Sequence, residues 1–145
     1  MGVIIAIDYG TKKTGFAVAD GMRILTEPLA VFHGAGDGED LLHHIAKLCD
    51  ERDVERFVIG MPFNMDGTEG PRAAETRAFG DSLRAHLEKR FGRIPIRFQD
   101  ERLSTKEADS LLVEAGYIGD ERKKRRDSWS ALVFLREWLQ CGEPE

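Results

Sequence analysis

Cysteine is scarce in this sequence. The 145 residues include two, Cys49 and Cys141, and neither belongs to a CxxC pair or to a zinc-ligand spacing. A disulfide scaffold and a structural zinc are therefore excluded, and the thiols are expected free, in a reducing cytoplasm. Long apolar runs are missing too. Val3–Ile7 is a fraction of the roughly 20 apolar residues that a membrane span needs. No basic segment precedes that run and no small-residue cleavage site follows it, so it does not read as a signal peptide. The four histidines form no HExxH, and His43 and His44 are adjacent and point apart. An excess of base is also lacking. Against 26 Asp and Glu stand 21 Lys and Arg, a net charge of −5, so any contact with nucleic acid must come from a local basic patch. There are no repeats, low-complexity stretches or linkers.

What is present describes one soluble domain over residues 1–145. Hydrophobic residues make up 41% and charged residues 32%. A chain near ~150 residues buries roughly two-thirds of its unfolded surface. Val3–Ile7 is apolar on both alternating faces, as in a central strand. Thr14–Ala19 reads as its antiparallel partner across a short turn. Ile24–Phe32 reads as a third strand, placed at an edge or bulge by Pro28. Leu41, Leu42, Ile45, Leu48 and Cys49 keep helical spacing. Phe57–Ile59 is a short buried strand closed by Gly60. Met61–Gly70 is a loop rich in Gly, Pro, Asn and Asp. Pro71 suits the first position of a helix that carries Phe79, Leu83, Leu87 and Phe91. Ile94, Ile96 and Phe98 form another strand. Ser104 to Glu107 read as a capping box opening a helix that Gly116 stops. Trp129, Leu132, Val133, Leu135 and Leu139 mark a last helix. The order βββαβαβαα predicts an α/β fold, a mixed sheet with helices on both faces.

Four segments carry chemistry-bearing residues, each with a plainer alternative. Asp8-Tyr9-Gly10 with Gly15 puts a carboxylate at the end of a central strand, where glycines let a backbone approach; it is equally a hairpin turn. Gly10 and Gly15 have the spacing of a P-loop, but Phe16 and Ala17 stand where Lys and Ser or Thr are required. Asp100-Glu101-Arg102 closes the last strand and is otherwise a solvated strand end. Strand alternation puts Asp100 in phase with Ile96 and Phe98 and Glu101 with Arg97 and Gln99, without deciding which acid faces a site. Asp127 reads as the N-cap of the last helix. Before it runs Arg122-Lys123-Lys124-Arg125-Arg126, a solvated loop or a phosphate-binding patch. The loop Met61–Gly70 is expected to be mobile and beside the acids, with the following helix N-terminus offering a phosphate site. If the strand and helix ends meet, Asp8, Glu101 or Asp100, and Asp127 form a hard oxygen-rich site suited to Mg2+ or Mn2+.

These motifs are familiar together. Ile7-Asp8-Tyr9-Gly10 with Gly15 and Ala17-Val18-Ala19, the stretch Ile59 to Gly70, Asp100 to Thr105, and Lys124 to Asp127 with Ala131 resemble the RuvX/YqgF family. This is a family of Holliday-junction-resolvase-like proteins tied to nuclease processing of pre-16S ribosomal RNA. The resemblance implies an RNase H-like fold, a five-stranded mixed sheet whose first three strands are antiparallel. It implies divalent-metal nuclease chemistry, with Asp8, Glu101 and Asp127 as catalytic residues and as ligands of Mg2+ or Mn2+. It thus favours Glu101 over Asp100, against the simple parity, which a bulge or twist at the strand end would reconcile. Substrate contacts are expected at Gly10, Lys13, Asn64, Gly67, Arg102, Arg122, Lys123, Lys124, Arg125 and Arg126. The partner is nucleic acid, either pre-rRNA or branched DNA, in the setting of a ribosomal particle and not of a membrane; no oligomeric state follows. Ser130 stands where better-known resolvases carry a second acid, three residues after the helical aspartate, which weighs against four-way-junction cleavage. Two other readings remain: a non-catalytic RNA-binding assembly factor, and a sugar-kinase or actin-like nucleotide site. The latter shares the Asp-x-Gly hairpin but needs two such domains.

Overall fold

A computed structural model describes residues 2–144. The elements are β1 (Val3–Asp8), β2 (Lys13–Ala19), β3 (Thr26–His33), α1 (Glu39–Glu51), β4 (Val54–Met61), α2 (Pro71–Phe91), β5 (Ile96–Asp100), α3 (Ser104–Glu114) and α4 (Gly119–Gln140). The five strands form one sheet in the order β3-β2-β1-β4-β5. β1, β2 and β3 are successively antiparallel, whereas β1 pairs with β4 and β4 with β5 in parallel. This is the mixed sheet of the RNase H-like fold, and Pro28 lies on an edge strand as expected.

Strand alternation builds two different cores. From β1 and β4, Ile5, Ile7, Phe57 and Ile59 point to the face that α1 and α2 cover with Leu41, Ile45, Phe79 and Leu83. The opposite face is floored by small side chains, Ala6, Ala17 and Ala19, with Ile4 and Val58. Helix α4 packs there through Ala131, Leu132, Phe134, Leu135 and Trp138. Small residues let a helix backbone approach a sheet closely, and that closeness decides where Asp127 comes to rest. Trp138 is fully buried, and its indole Nε1–H donates to the Pro144 carbonyl at 3.0 Å.

Several boundaries differ from the sequence reading. β3 begins at Thr26, because the Asp20 carboxylate accepts from the Ile24 and Leu25 amides, both at 2.8 Å, and holds them in a turn. Ile94 is buried yet precedes β5. The capping box does not form: Leu103 takes the N-cap position of α3, while the Ser104 hydroxyl donates to the Glu101 carbonyl at 2.8 Å. Most consequential, α4 begins at Gly119, so Asp127 and the basic run before it are both helical. Cys49 and Cys141 are free thiols. Among the described residues no helix is long and apolar enough to cross a membrane.

Candidate active site

Asp8 is the last residue of β1, in phase with Ile4 and Ala6, and so faces α4. The same alternation resolves β5. Ile96 and Phe98 align with Phe57 and Ile59 of β4 and share the α1/α2 face. Arg97, Gln99 and, just past the strand end, Glu101 therefore fall on the α4 face with Asp8. No bulge is needed: the apolar phase of β5 faces away from the acids. Asp100 turns outward instead, where Arg102 Nη2 lies 2.7 Å from its carboxylate and holds it below the usual Asp range.

Two glycines make the meeting of elements physically possible. A Cβ on Gly15 of β2 would run into the Asp127 carbonyl group and the Ser128 amide, so the α4 backbone rests directly on the strand. The β2–β3 register shifts between Thr14 and Phe16, and the Phe16 amide donates to Ser128 Oγ at 3.0 Å, pinning the helix. On β4, a Cβ at Gly60 would lie 2.6 Å from Glu101 Oε2. The missing side chain leaves the space through which Glu101 reaches toward Asp8.

The three carboxylates thus line one open cavity of about 330 Å3, which Lys13, Arg72 and Arg102 also line. Asp8 hydrogen-bonds Glu101 and is pushed well above the usual carboxylate range, first by burial, then by the charges of Glu101 and Asp127. The neighbouring Ser130 hydroxyl pulls in the other direction. Burial raises Glu101 as well, against the opposing effects of its Asp8 hydrogen bond and the Arg72 charge. Asp127 Oδ2 is buried with no hydrogen-bond donor, and Lys13 Nζ lies 3.5 Å away.

A family model described as "RuvX: Holliday junction resolvase" matches residues 2–141. The chain belongs to the RuvX family. A protein of Streptococcus equi subsp. equi named "Putative pre-16S rRNA nuclease" is 36% identical over 141 residues, 96% of this chain and 98% of the relative. A Paracoccus denitrificans protein of the same name is 42% identical over 128 residues, 86% of this chain and 73% of the relative. Among solved structures, T. thermophilus RuvC in complex with Holliday junction substrate superposes with a TM-score of 0.58 at 14% identity, covering 99% of this chain and 98% of that one. The fowlpox virus resolvase in complex with Holliday junction DNA gives 0.57 at 9% identity, with 98% and 99% covered. At those identities the two resolvases speak to the fold, which is theirs.

The donor set of this RuvX-family chain suits a hard divalent cation. Three oxygen-donor side chains converge: burial raises Asp8 and Glu101 above the usual carboxylate range, and Asp127 has a buried oxygen without a donor. Among the described residues no three His, Cys, Asp or Glu side chains already stand as a ligating group. Asp8 and Glu101 face each other, and Asp127 faces Lys13.

The expected substrate contacts divide. Gly10, Lys13 and Arg102 line the cavity; Asn64 and Gly67 do not. Those two shape the loop, whose amides bond from Asn64 to the Thr68 carbonyl and from Gly67 to the Asn64 carbonyl, both at 2.8 Å. Gly67 adopts φ +88°, and Asp66 accepts from the Thr68 hydroxyl at 2.6 Å. Arg102 donates to the Met65 carbonyl at 3.1 Å, tying the loop to the site. The loop's own polar side chains brace this conformation, and Pro62 and Phe63 are its residues in the cavity wall, next to the acids.

The basic run is also corrected. Arg122 and Arg126, one turn apart, both reach Asp109 of α3, at 3.8 and 2.8 Å. Lys124 and Arg125 pair with Glu121 at 3.4 and 2.6 Å. None of the five lines the cavity. Lys123 is exposed and lies one turn before Asp127 on the same helix face. Sequence reasoning missed Arg72, Gly60, Ser104 and the supporting role of Ser130. The Ser104 and Ser130 hydroxyls meet at 2.9 Å in a buried contact between α3 and α4. A serine where resolvases carry an acid was the visible signal.

Proposed function

We propose that this protein hydrolyses phosphodiester bonds of structured RNA with Mg2+ or Mn2+ held by Asp8, Glu101 and Asp127, in the maturation of pre-16S ribosomal RNA. The observation that carries the reading is the convergence of three carboxylates from β1, the β5 end and α4 on one cavity, with Asp127 Oδ2 buried and lacking a donor. When bound, a divalent cation supplies Lewis-acid activation of water and neutralises charge building on the phosphate. The chain does the rest. Asp8 and Glu101, both raised by burial, must be ionised to become ligands. Ser130, braced by Ser104 at 2.9 Å, favours the ionised form of Asp8. Arg72, in the first turn of α2, places a fixed positive charge beside the acids, and the free amides of that helix end favour a phosphate. The products are a 5′-phosphate and a 3′-hydroxyl. RNA is favoured over branched DNA by the relatives' names and by Ser130 in place of a second helical acid.

The test is cleavage of a labelled RNA carrying a 16S 5′-leader junction, beside a four-way DNA junction, in Mn2+. Wild type should cut the RNA, and Asp8→Asn, Glu101→Gln and Asp127→Asn should each lose at least about a hundredfold, since an amide is a poor ligand for a hard cation. Cutting of the junction alone would assign a resolvase. RNA binding with no cutting in any divalent cation would assign an assembly factor.

A further inference from the structure

We propose that Lys13 is a resident counter-ion for the site: it neutralises Asp127 while no divalent cation is present, and passes to a substrate phosphate when one binds. Cation binding and nucleic-acid binding are then coupled through one side chain. The inference rests on the metal reading above and goes beyond it.

Lys13 opens β2 immediately after the hairpin turn, so its backbone is fixed while its side chain crosses the cavity. Its ammonium is the cation that stands against Asp127 Oδ2, at 3.5 Å. That separation is longer than the roughly 2.7–2.9 Å of a strong charge-assisted hydrogen bond, so the lysine is held by charge and not locked. The two partners differ in exposure, 43% for the lysine side chain and 24% for the aspartate. The acid stays in the wall while the base can swing out. Of the other bases of the cavity, Arg102 is not free to do so, and Arg72 has no contact with Asp127. Arg102 is spent on Asp100 and on the Met65 carbonyl, and Arg72 influences Glu101 through its charge.

A divalent cation binds carboxylate oxygens at roughly 2.0–2.6 Å. An ammonium left on the same carboxylate would face it at close range and be repelled. Lysine, a point charge on a flexible four-carbon stem, gives way easily. Once released it lies at the mouth of a site that admits a phosphate, whose charge takes the place of the lost carboxylate. Linkage makes the effect reciprocal: the factor by which cation improves RNA binding is the factor by which RNA improves cation binding.

The experiment compares wild type, Lys13→Met and Lys13→Arg. Mn2+ binding is measured by calorimetry, thermal unfolding is followed with and without Mn2+, and binding of a labelled RNA hairpin is titrated with and without Ca2+. Lys13→Met should melt lower than wild type without metal, because the acids lose their counter-charge. It should bind Mn2+ about five- to tenfold more tightly, the scale of removing one close like charge from a partly exposed site. The gain in RNA affinity that Ca2+ gives wild type should shrink in Lys13→Met and persist in Lys13→Arg. Wild type and Lys13→Met both indifferent to Mn2+ would overturn the metal reading and this coupling with it. Wild type that binds Mn2+, with Lys13→Met binding it no more tightly, would overturn the role of Lys13 alone. An equal loss of RNA affinity in Lys13→Met with and without Ca2+ would also overturn it, leaving the lysine a simple phosphate contact.

Discussion

Asp8 is under two conflicting demands. It must ionise to bind a cation, yet burial and two neighbouring acids make ionisation costly, so it holds its proton well above the usual carboxylate range. In the metal-free protein this sets the sign of a pH effect. Between the ordinary Asp pKa and the raised folded value, the native state binds more protons than the unfolded chain, so stability falls as pH rises through that window. Asp8→Asn removes the titration. It should melt like wild type under acid conditions and higher than wild type at alkaline pH in EDTA. Melting curves across pH check this; equal melting temperatures throughout would show that the acid is not strained. The sequence exposed all three acids, because carboxylates at element ends are conspicuous. It did not settle Glu101 against Asp100, since alternation within β5 cannot say which face the unpaired helix covers. Gly60 and Ser130 escaped because their roles depend on what lies across the sheet.

Helix α4 does the positioning at the next scale. Its backbone sits against Gly15 with no room for a Cβ, and Ser128 fastens it to Phe16. Gly15→Ala should lift the helix, destabilise the fold by about 1–3 kcal/mol as overpacking does, and lose activity by displacing Asp127. Gly38→Ala is the control. Its Cβ would meet nothing closer than 3.5 Å and its φ is −91°, so it should lose only the roughly 0.5–1 kcal/mol that alanine costs at the N-cap of α1 and keep its activity. The extent of this helix was poorly legible. Five consecutive bases followed by an Asp resemble a loop and a cap, whereas the run is helical because Asp109 and Glu121 take up alternate turns of it. The strand elements were legible, since their alternation and turn residues act locally.

Over the whole molecule the charge is −5, and a polyanion must approach through local bases. Within the run 122–126 the structure separates four bases paired with Asp109 or Glu121 from Lys123, which pairs with neither. Arg126 bridges α4 to α3 through Asp109, so Arg126→Ala should cost roughly 0.5–1 kcal/mol of stability, the range of partly exposed pairs. Lys123→Ala should leave stability unchanged, weaken RNA binding without regard to sequence, and flatten the slope of log K against log salt by about one. Isotherms at several salt concentrations separate the two variants; an unaltered slope for Lys123→Ala would return that lysine to plain solvation. The order of elements and the mixed sheet were legible because three strands in a meander followed by strand–helix alternation admit few topologies. The exposed Met22, Ile24 and Leu25 were hidden by an apolar pattern that continues past the start of β3 into its preceding turn.

The burial of Trp138 has a practical consequence for all of these variants. The indole shares its helix with Asp127, packed on the sheet with its N–H engaged, and should fluoresce at short wavelength while the helix is docked. Trp129 lies on the same helix but is only half-buried, so it contributes a second, less sensitive emission. A protein that has lost its chemistry but kept its architecture, as expected for Asp127→Asn, should keep the blue emission. One whose helix has lifted, as expected for Gly15→Ala, should shift to the red. The colour of the emitted light would therefore tell an empty ligand position from a misplaced one before any substrate is added.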